Sequence, residues 1–150
     1  SGFEPRGEWG GWGKIRVYIV SAEGEFFWGG GTRGLAPAVE GDVGIAPRHA
    51  PLLTVLRAGE VRVRDEQGND AHFFVSGGIL EIQPFKVTVL ADTALRAKDL
   101  DEAAALEAKR RAEDVLAQRQ SDIDYARAQA ELAEAIAKLQ MLERLRKIRS

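Results

Sequence analysis

At 150 residues with 45% hydrophobic positions, the chain has the apolar material for one fair-sized core or two small ones. Its 21 basic and 23 acidic side chains are intermixed and leave a formal charge of −2, which gives no basis for nucleic-acid binding, and the count of zero cysteines excludes a disulfide framework and thiol chemistry. No apolar run approaches the roughly 20 residues that span a bilayer and no charged-then-apolar leader opens the sequence, so no direct membrane insertion is expected.

Ser1–Gly13 (SGFEPRGEWGGWG) lacks any period. It reads as a disordered extension or a cloning scar, residues 1–13. The alternative is an arm bearing Trp9 and Trp12 that docks on the sheet or on a partner. Lys14–Val20 alternates strictly, with Ile15, Val17 and Ile19 on one face, and predicts a half-buried strand. A second strand is expected at Glu25–Trp28. The following Gly29–Gly34 formally matches GxGxxG, but Leu35-Ala36-Pro37-Ala38 provides no helix N-terminus to hold a phosphate. The segment Trp28–Gly34 therefore reads as a loose loop or a bulged edge strand.

Val39–Leu53 (VEGDVGIAPRHAPLL) is dense in turn formers. Proline fixes φ and removes donors, so a rigid, exposed loop pair is expected, projecting Asp42, Arg48 and His49. Strands are predicted at Leu52–Arg57, Glu60–Asp65 and Asp70–Val75, then at Ile79–Ile82 and Lys86–Leu90. Ser76-Gly77-Gly78 and Gln83-Pro84-Phe85 read as the tight turns of a meander. From Lys98 onward glycine and proline vanish. Asp99 reads as an N-cap with Glu102 reaching back, opening a helix to about Gln118. Ser121-Asp122-Ile123-Asp124 opens a second helix to about Lys147. The short linker requires the two to fold back antiparallel. The fold class is α+β: an N-terminal antiparallel β-sandwich or flattened barrel (14–97), then a C-terminal α-helical hairpin (98–150).

The facing seam of the hairpin is predicted from alanine rows: Ala104, Ala108, Ala112 and Val115 on the first helix, with Ile123, Ala126, Ala130, Ala133 and Ala137 on the second. Leu132, Ile136 and Leu139 fall nearly opposite that row at 100° per residue. Alanine methyls bury little, so the seam is weak for its length. No catalytic constellation emerges. Ser76 lies near His72 without a nucleophile elbow, and His49 and His72 lack metal-ligand spacing, so no metal is expected. The acids at Asp99, Asp101 and Glu102 suit a helix N-terminus. The residues point to a non-catalytic binding or regulatory protein.

The runs GDVGIAPRHAPLL, VSGGILEIQPFKVTVLADTALRAKDLDEA and SDIDYARAQAELAEAIAKL resemble the epsilon subunit of bacterial rotary ATP synthases, over about Lys14–Leu145. The resemblance implies a β-sandwich bound to the gamma subunit and the membrane c-ring, at the cytoplasmic face of the bacterial inner membrane as a peripheral protein. It implies a hairpin that either folds back or extends to the alpha/beta catalytic subunits and blocks ATP hydrolysis. By position, Asp42, Arg48 and His49 correspond to the c-ring contact loop. Arg144 and Arg146 would meet the acidic catalytic head when the hairpin extends. The alanine seam residues, with Leu132, Ile136 and Leu139, would supply the packing of that switch. Some members bind ATP through a Leu/Ile-Asp-x-x-Arg-Ala motif. Here Ala104 stands at that arginine, and Glu134 and Lys138 replace the arginines of the second helix, so weak or absent ATP binding and no cofactor are expected. The competing function is a non-catalytic sandwich module for a small ligand, with the hairpin as a dimerisation arm.

Overall fold

The structure is a computed structural model that describes residues 14–118 and 121–149, with the side chains of Glu25, Trp28 and Arg149 left aside. The expectations for Ser1–Gly13, including Trp9 and Trp12, lie outside the described residues. The described chain divides into two compact units between Ala94 and Leu95.

The first unit carries β1 (Ile15–Ser21), β2 (Gly24–Gly31), β3 (Arg33–Ala38), β4 (Gly41–Ile45), β5 (Leu52–Leu56), β6 (Gly59–Arg64), β7 (Asp70–Val75), β8 (Gly78–Gln83) and β9 (Lys86–Ala91), with β10 (Ala94–Arg96) at the boundary. Hydrogen-bonded order is β10-β7-β6-β3-β5-β8-β9-β1-β2, and β4 pairs with β3. β1 and β9 run parallel, and the other described pairs antiparallel. β3 pairs with β6 through Arg33–Leu35 and with β5 at Ala38, so this one strand passes from one layer to the other and closes the sandwich.

Alternation predicts the core correctly. Ile15, Val17 and Ile19 are 1%, 3% and 0% exposed, and Val61 and Val63 point inward with Arg62 and Arg64 outward. One cluster holds them together with Phe73, Val75, Leu80, Ile82, Val87 and Val89, drawn entirely from residues 15–94. Phe26 and Phe27 pack their rings on Phe73 at 5.8 and 4.7 Å between centroids. This unit therefore owns a self-contained core.

Three expectations change. The segment 76–78 is not a meander turn, because β7 pairs with β6 while β8 pairs with β5 and β9. Gly77 and Gly78, at φ +130° and +143°, carry the chain between layers. The predicted loop Val39–Leu53 contains β4, which pairs along β3 from Gly34↔Ile45 to Ala38↔Gly41; the glycines Gly41 and Gly44 lie within this strand and only Pro47 and Pro51 fall in the loop after it. The segment Trp28–Gly34 is neither loose nor a phosphate loop. Gly29–Gly31 complete β2, an edge strand that pairs regularly with β1 there; the slip at Ile19/Val20 skips Phe26 instead, so only the edge-strand part of that expectation survives.

The second unit holds a 3-10 turn (Ala97–Asp99), α1 (Glu102–Gln118) and α2 (Asp122–Arg149). The cap of α1 is Asp101, not Asp99: its Oδ1 accepts from the Ala104 N–H at 3.2 Å, since Asp99 is consumed in the 3-10 turn. Ser121 Oγ accepts from the Asp124 N–H at 3.0 Å and caps α2 as its sequence predicts.

Candidate interaction surfaces

Asp42, Arg48 and His49 lie on β4 and the loop after it, but the structure does not gather them at one point. Asp42 pairs across from Pro37 and receives a 2.6 Å hydrogen bond from Arg57 Nη2. Arg48 sits where the loop touches the opposite end of the sandwich, its N–H donating to the Pro84 carbonyl at 2.6 Å. The four steps of β4 from Gly41 to Ile45 span about 13 Å at strand rise, so the two ends are separate. Arg48 is a non-glycine residue at φ +66°, a conformation that costs free energy and concentrates where surfaces do work. His49 is half-buried, its Nδ1 2.6 Å from the Ala50 carbonyl oxygen.

A surface that alternation hides lies on the outer face of the sandwich. Val55 is opposite Ile79, and Ile79 is opposite Leu90, so the three form a row across β5, β8 and β9. They are 54%, 44% and 49% exposed, with Leu53 at 70% beside them. Together they place a contiguous apolar strip on the solvent side of the sheet. The signal was present in LLTVL, GILEI and VTVL, whose apolar residues fall on both faces of their strands.

Two polar pairs stand on β6 and β7. Glu60 and His72 join Oε2 to Nδ1, which accounts for His72 as a sheet-face residue. Arg64 donates Nε to Asp70 Oδ1 at 2.8 Å and Nη2 to Oδ2 at 3.2 Å. That hydrogen-bonded guanidinium holds the Asp70 carboxyl below its ordinary range. The depressed value contributes stability above the unfolded carboxylate range, near pH 4, and the contribution is lost as pH falls through the folded value. Asp70→Asn should therefore show a small loss in urea midpoint at pH 7 that shrinks to nothing in acid. A gap of constant size down to pH 2 would contradict the pairing.

In the hairpin, Ala105 and Ala112 of α1 are buried, and Ala108 and Leu116 half-buried. On α2 the row Ala128, Leu132, Ala135, Leu139 and Leu142 is buried or half-buried. One groove between the helices is lined by Ala104, Ala105, Glu131, Glu134 and Lys138, the groove on the other side by Lys109, Ile136, Gln140 and Glu143. Ala135 borders the first groove and Leu139 the second, so the face between them meets α1. Leu132 and Leu139 thus belong to the seam and not opposite it. Ala112 is buried and Ala108 half-buried, whereas Ala104, Ala126, Ala130 and Ala133 are exposed. Ile136 is 36% exposed, and Ala137 is buried in a second stripe with Met141 and Leu145. The predicted α2 row is displaced by two residues, about 200° of helix. Alanine spacing has the same period on either face, and leucine takes the seam because it buries more area.

The first groove, of about 520 Å³, surrounds the sequence Leu100–Ala105. Its charged lining is Asp99, Asp101, Glu131 and Glu134 against Arg111 and Lys138, and Lys138 Nζ lies 3.2 Å from Glu134 Oε2. Ala104 contributes no cation. A triphosphate there would face more carboxylates than cations. Arg144 and Arg146 both lie in the last turns of α2; Arg146 bonds Glu102 at the start of α1. Among the described residues no cluster of histidine, aspartate and glutamate could hold a metal ion, and no helix is long and apolar enough to cross a membrane.

Comparison with known proteins agrees with this architecture. The family described as ATP synthase, Delta/Epsilon chain, beta-sandwich domain matches residues 14–97, and its long alpha-helix domain matches residues 98–143. An ATP synthase epsilon chain of Alkalilimnicola ehrlichii is 65% identical over 133 residues, covering 89% of this chain and 95% of that one. One of Halorhodospira halophila is 61% identical over 134 residues, with 89% and 95% covered. Among solved structures, a chain of the Euglena gracilis mitochondrial ATP synthase OSCP/F1/c-ring assembly superposes with a TM-score of 0.77 at 16% identity, covering 86% of this chain and 81% of that chain; at that identity the likeness is one of fold. With sandwich and hairpin both matched in order, the chain belongs to the epsilon-chain family of the ATP synthases.

Proposed function

We propose that the chain is a non-catalytic subunit of the rotor, peripheral at the cytoplasmic face of the bacterial inner membrane, joining the gamma subunit to the c-ring and restraining ATP hydrolysis with its hairpin. The observation that carries this reading is the in-register apolar row of Val55, Ile79 and Leu90 on a sandwich whose core is already complete. A sheet face of this kind is served by a partner, and gamma is the partner this family membership favours. β4 and the loop after it meet the c-ring, with Asp42 at one end and Arg48 and His49 at the other. The hairpin supports a mobile role because α1 buries only Ala105 and Ala112, each worth about 0.8 kcal/mol per methyl. When it extends, Arg144 and Arg146 face the acidic surface of the alpha/beta subunits.

The test is reconstitution. Adding the full chain to a gamma-containing catalytic complex that lacks it should give a stable complex and lower ATP hydrolysis. A homodimer that ignores gamma would overturn the reading. Replacing Val55 and Ile79 with Asp should abolish gamma binding without unfolding the sandwich, since both side chains are already half in water. For ATP itself, titration calorimetry of the isolated chain should show no tight binding, with or without magnesium. Saturable micromolar binding would show that the groove beside Ala104 has been misread.

A further inference from the structure

At the open end of the hairpin an ion pair joins residues 44 positions apart. Arg146 Nη2 lies 3.1 Å from both Glu102 Oε1 and Glu102 Oε2. Glu102 is the first residue of α1, where its charge also faces the positive end of that helix, and Arg146 stands in the last turn of α2, at the negative end. The helices are joined covalently at their other end, so the pair acts at the longest distance from the connection. Any separation of α1 from α2 that hinges at the connection must break it. It also holds the helix whose buried side chains are two alanines.

The geometry points to a latch: the Glu102–Arg146 pair biases the hairpin toward its closed form, and an acidic partner surface that draws Arg146 from Glu102 shifts the balance toward the open one. This rests on the regulatory reading above and adds the residue pair that sets its balance. Only Nη2 of Arg146 meets Glu102, so it is not donor capacity but the parting of the helix ends that breaks this contact, and the closed and opened states exclude each other there. Both side chains are about half exposed, 60% for Arg146 and 49% for Glu102. Their contribution is accordingly modest and sensitive to salt. Modest is sufficient here, because a balance between two packings of similar free energy responds to a factor of a few.

The experiment uses the full chain, which has no native cysteine to interfere. Spin labels at Ala103→Cys and Ile148→Cys, both exposed positions, report the separation of the two helix ends. Glu102→Arg should raise the separated fraction about two- to five-fold at low salt, the ratio an exposed pair sustains. At 1 M salt the difference from the parent chain should vanish. Glu102→Gln should move the fraction in the same direction by less. The exchanged variant Glu102→Arg/Arg146→Glu should restore the closed distance although it keeps an unfavourable arginine at the helix start. That recovery separates the pair from a simple helix-dipole effect. An unchanged distance in Glu102→Arg, or failure of the exchange to restore it, would overturn the latch. In the gamma-containing complex, Glu102→Arg should strengthen inhibition of hydrolysis by the same factor. If the labels respond and hydrolysis does not, the latch stands and the inhibitory reading falls.

Discussion

Gly78→Ala should destabilise the sandwich by about 2–6 kcal/mol and leave it only marginally folded at room temperature. A Cβ built on Gly78 would stand 2.0 Å from the Leu90 carbonyl oxygen and 2.9 Å from the Ala91 Cα, both backbone atoms that no rotamer change can move aside. Its φ of +143° is also one that alanine rarely adopts. The backbone strain costs about 1–3 kcal/mol, and forcing atoms into a packed site typically adds about 1–3 kcal/mol. Together they consume much of a stability that is about 5–15 kcal/mol for a domain. The strain cannot be relieved locally, because Gly78 is paired on both sides, to Leu56 of β5 and to Ala91 of β9. Gly68→Ala makes the control: its φ is +85°, yet nothing lies within 4 Å of the added methyl. It should cost only the left-handed penalty, about 1–2 kcal/mol. Urea titrations of the two variants should therefore differ by several kcal/mol, and equal midpoints would mean that the crossover between the layers is built differently.

The same glycine shows where reading the sequence succeeds and stops. Ser76-Gly77-Gly78 announces a break in the chain, and a break is there. Glycine permits a turn within one sheet and a crossover between two with equal ease, and only the partners of β7 and β8 distinguish them. The strands with clean alternation, β1 and β6, were legible to the individual side chain because period two leaves a single choice of inward face. β4 was not, since Gly41, Asp42 and Gly44 favour turns locally and only pairing with β3 makes the segment extended. The helices were legible in extent through Ser121 and the absence of glycine and proline. Their facing was not, because α2 carries apolar residues on more than one side: Ala126, Ala130 and Ala133 satisfy the helical period as well as Ala128, Leu132 and Ala135 do. For the interaction surfaces, Arg48 and His49 are conspicuous by their prolines, whereas Val55, Ile79 and Leu90 become a surface only once register aligns three strands.

Ending the chain after Ala97 should raise ATP hydrolysis by the assembled complex several-fold and leave gamma binding unchanged. The cut preserves the ten described strands, since β10 ends at Arg96. It removes no member of the sandwich core, whose last contributor is Ala94. The truncated unit should accordingly unfold cooperatively with the midpoint of an ordinary small domain, and its apolar row of Val55, Ile79 and Leu90 stays in place to hold the stalk. What the cut removes is the pair of helices α1 and α2. Leu132, Leu139 and Leu142 draw α2 toward α1, while the two buried alanines of α1 return only about 1.6 kcal/mol for their methyls. On the reading proposed above, the arm exchanges between a folded and an extended state, and inhibition scales with the fraction extended. Removing the arm abolishes that fraction entirely, so its effect must exceed that of any single substitution along α1 or α2. Hydrolysis unchanged by truncation would show that the helices restrain nothing. Loss of gamma binding would show instead that the sandwich is not the anchor, and that the exposed row on β5, β8 and β9 serves some other contact.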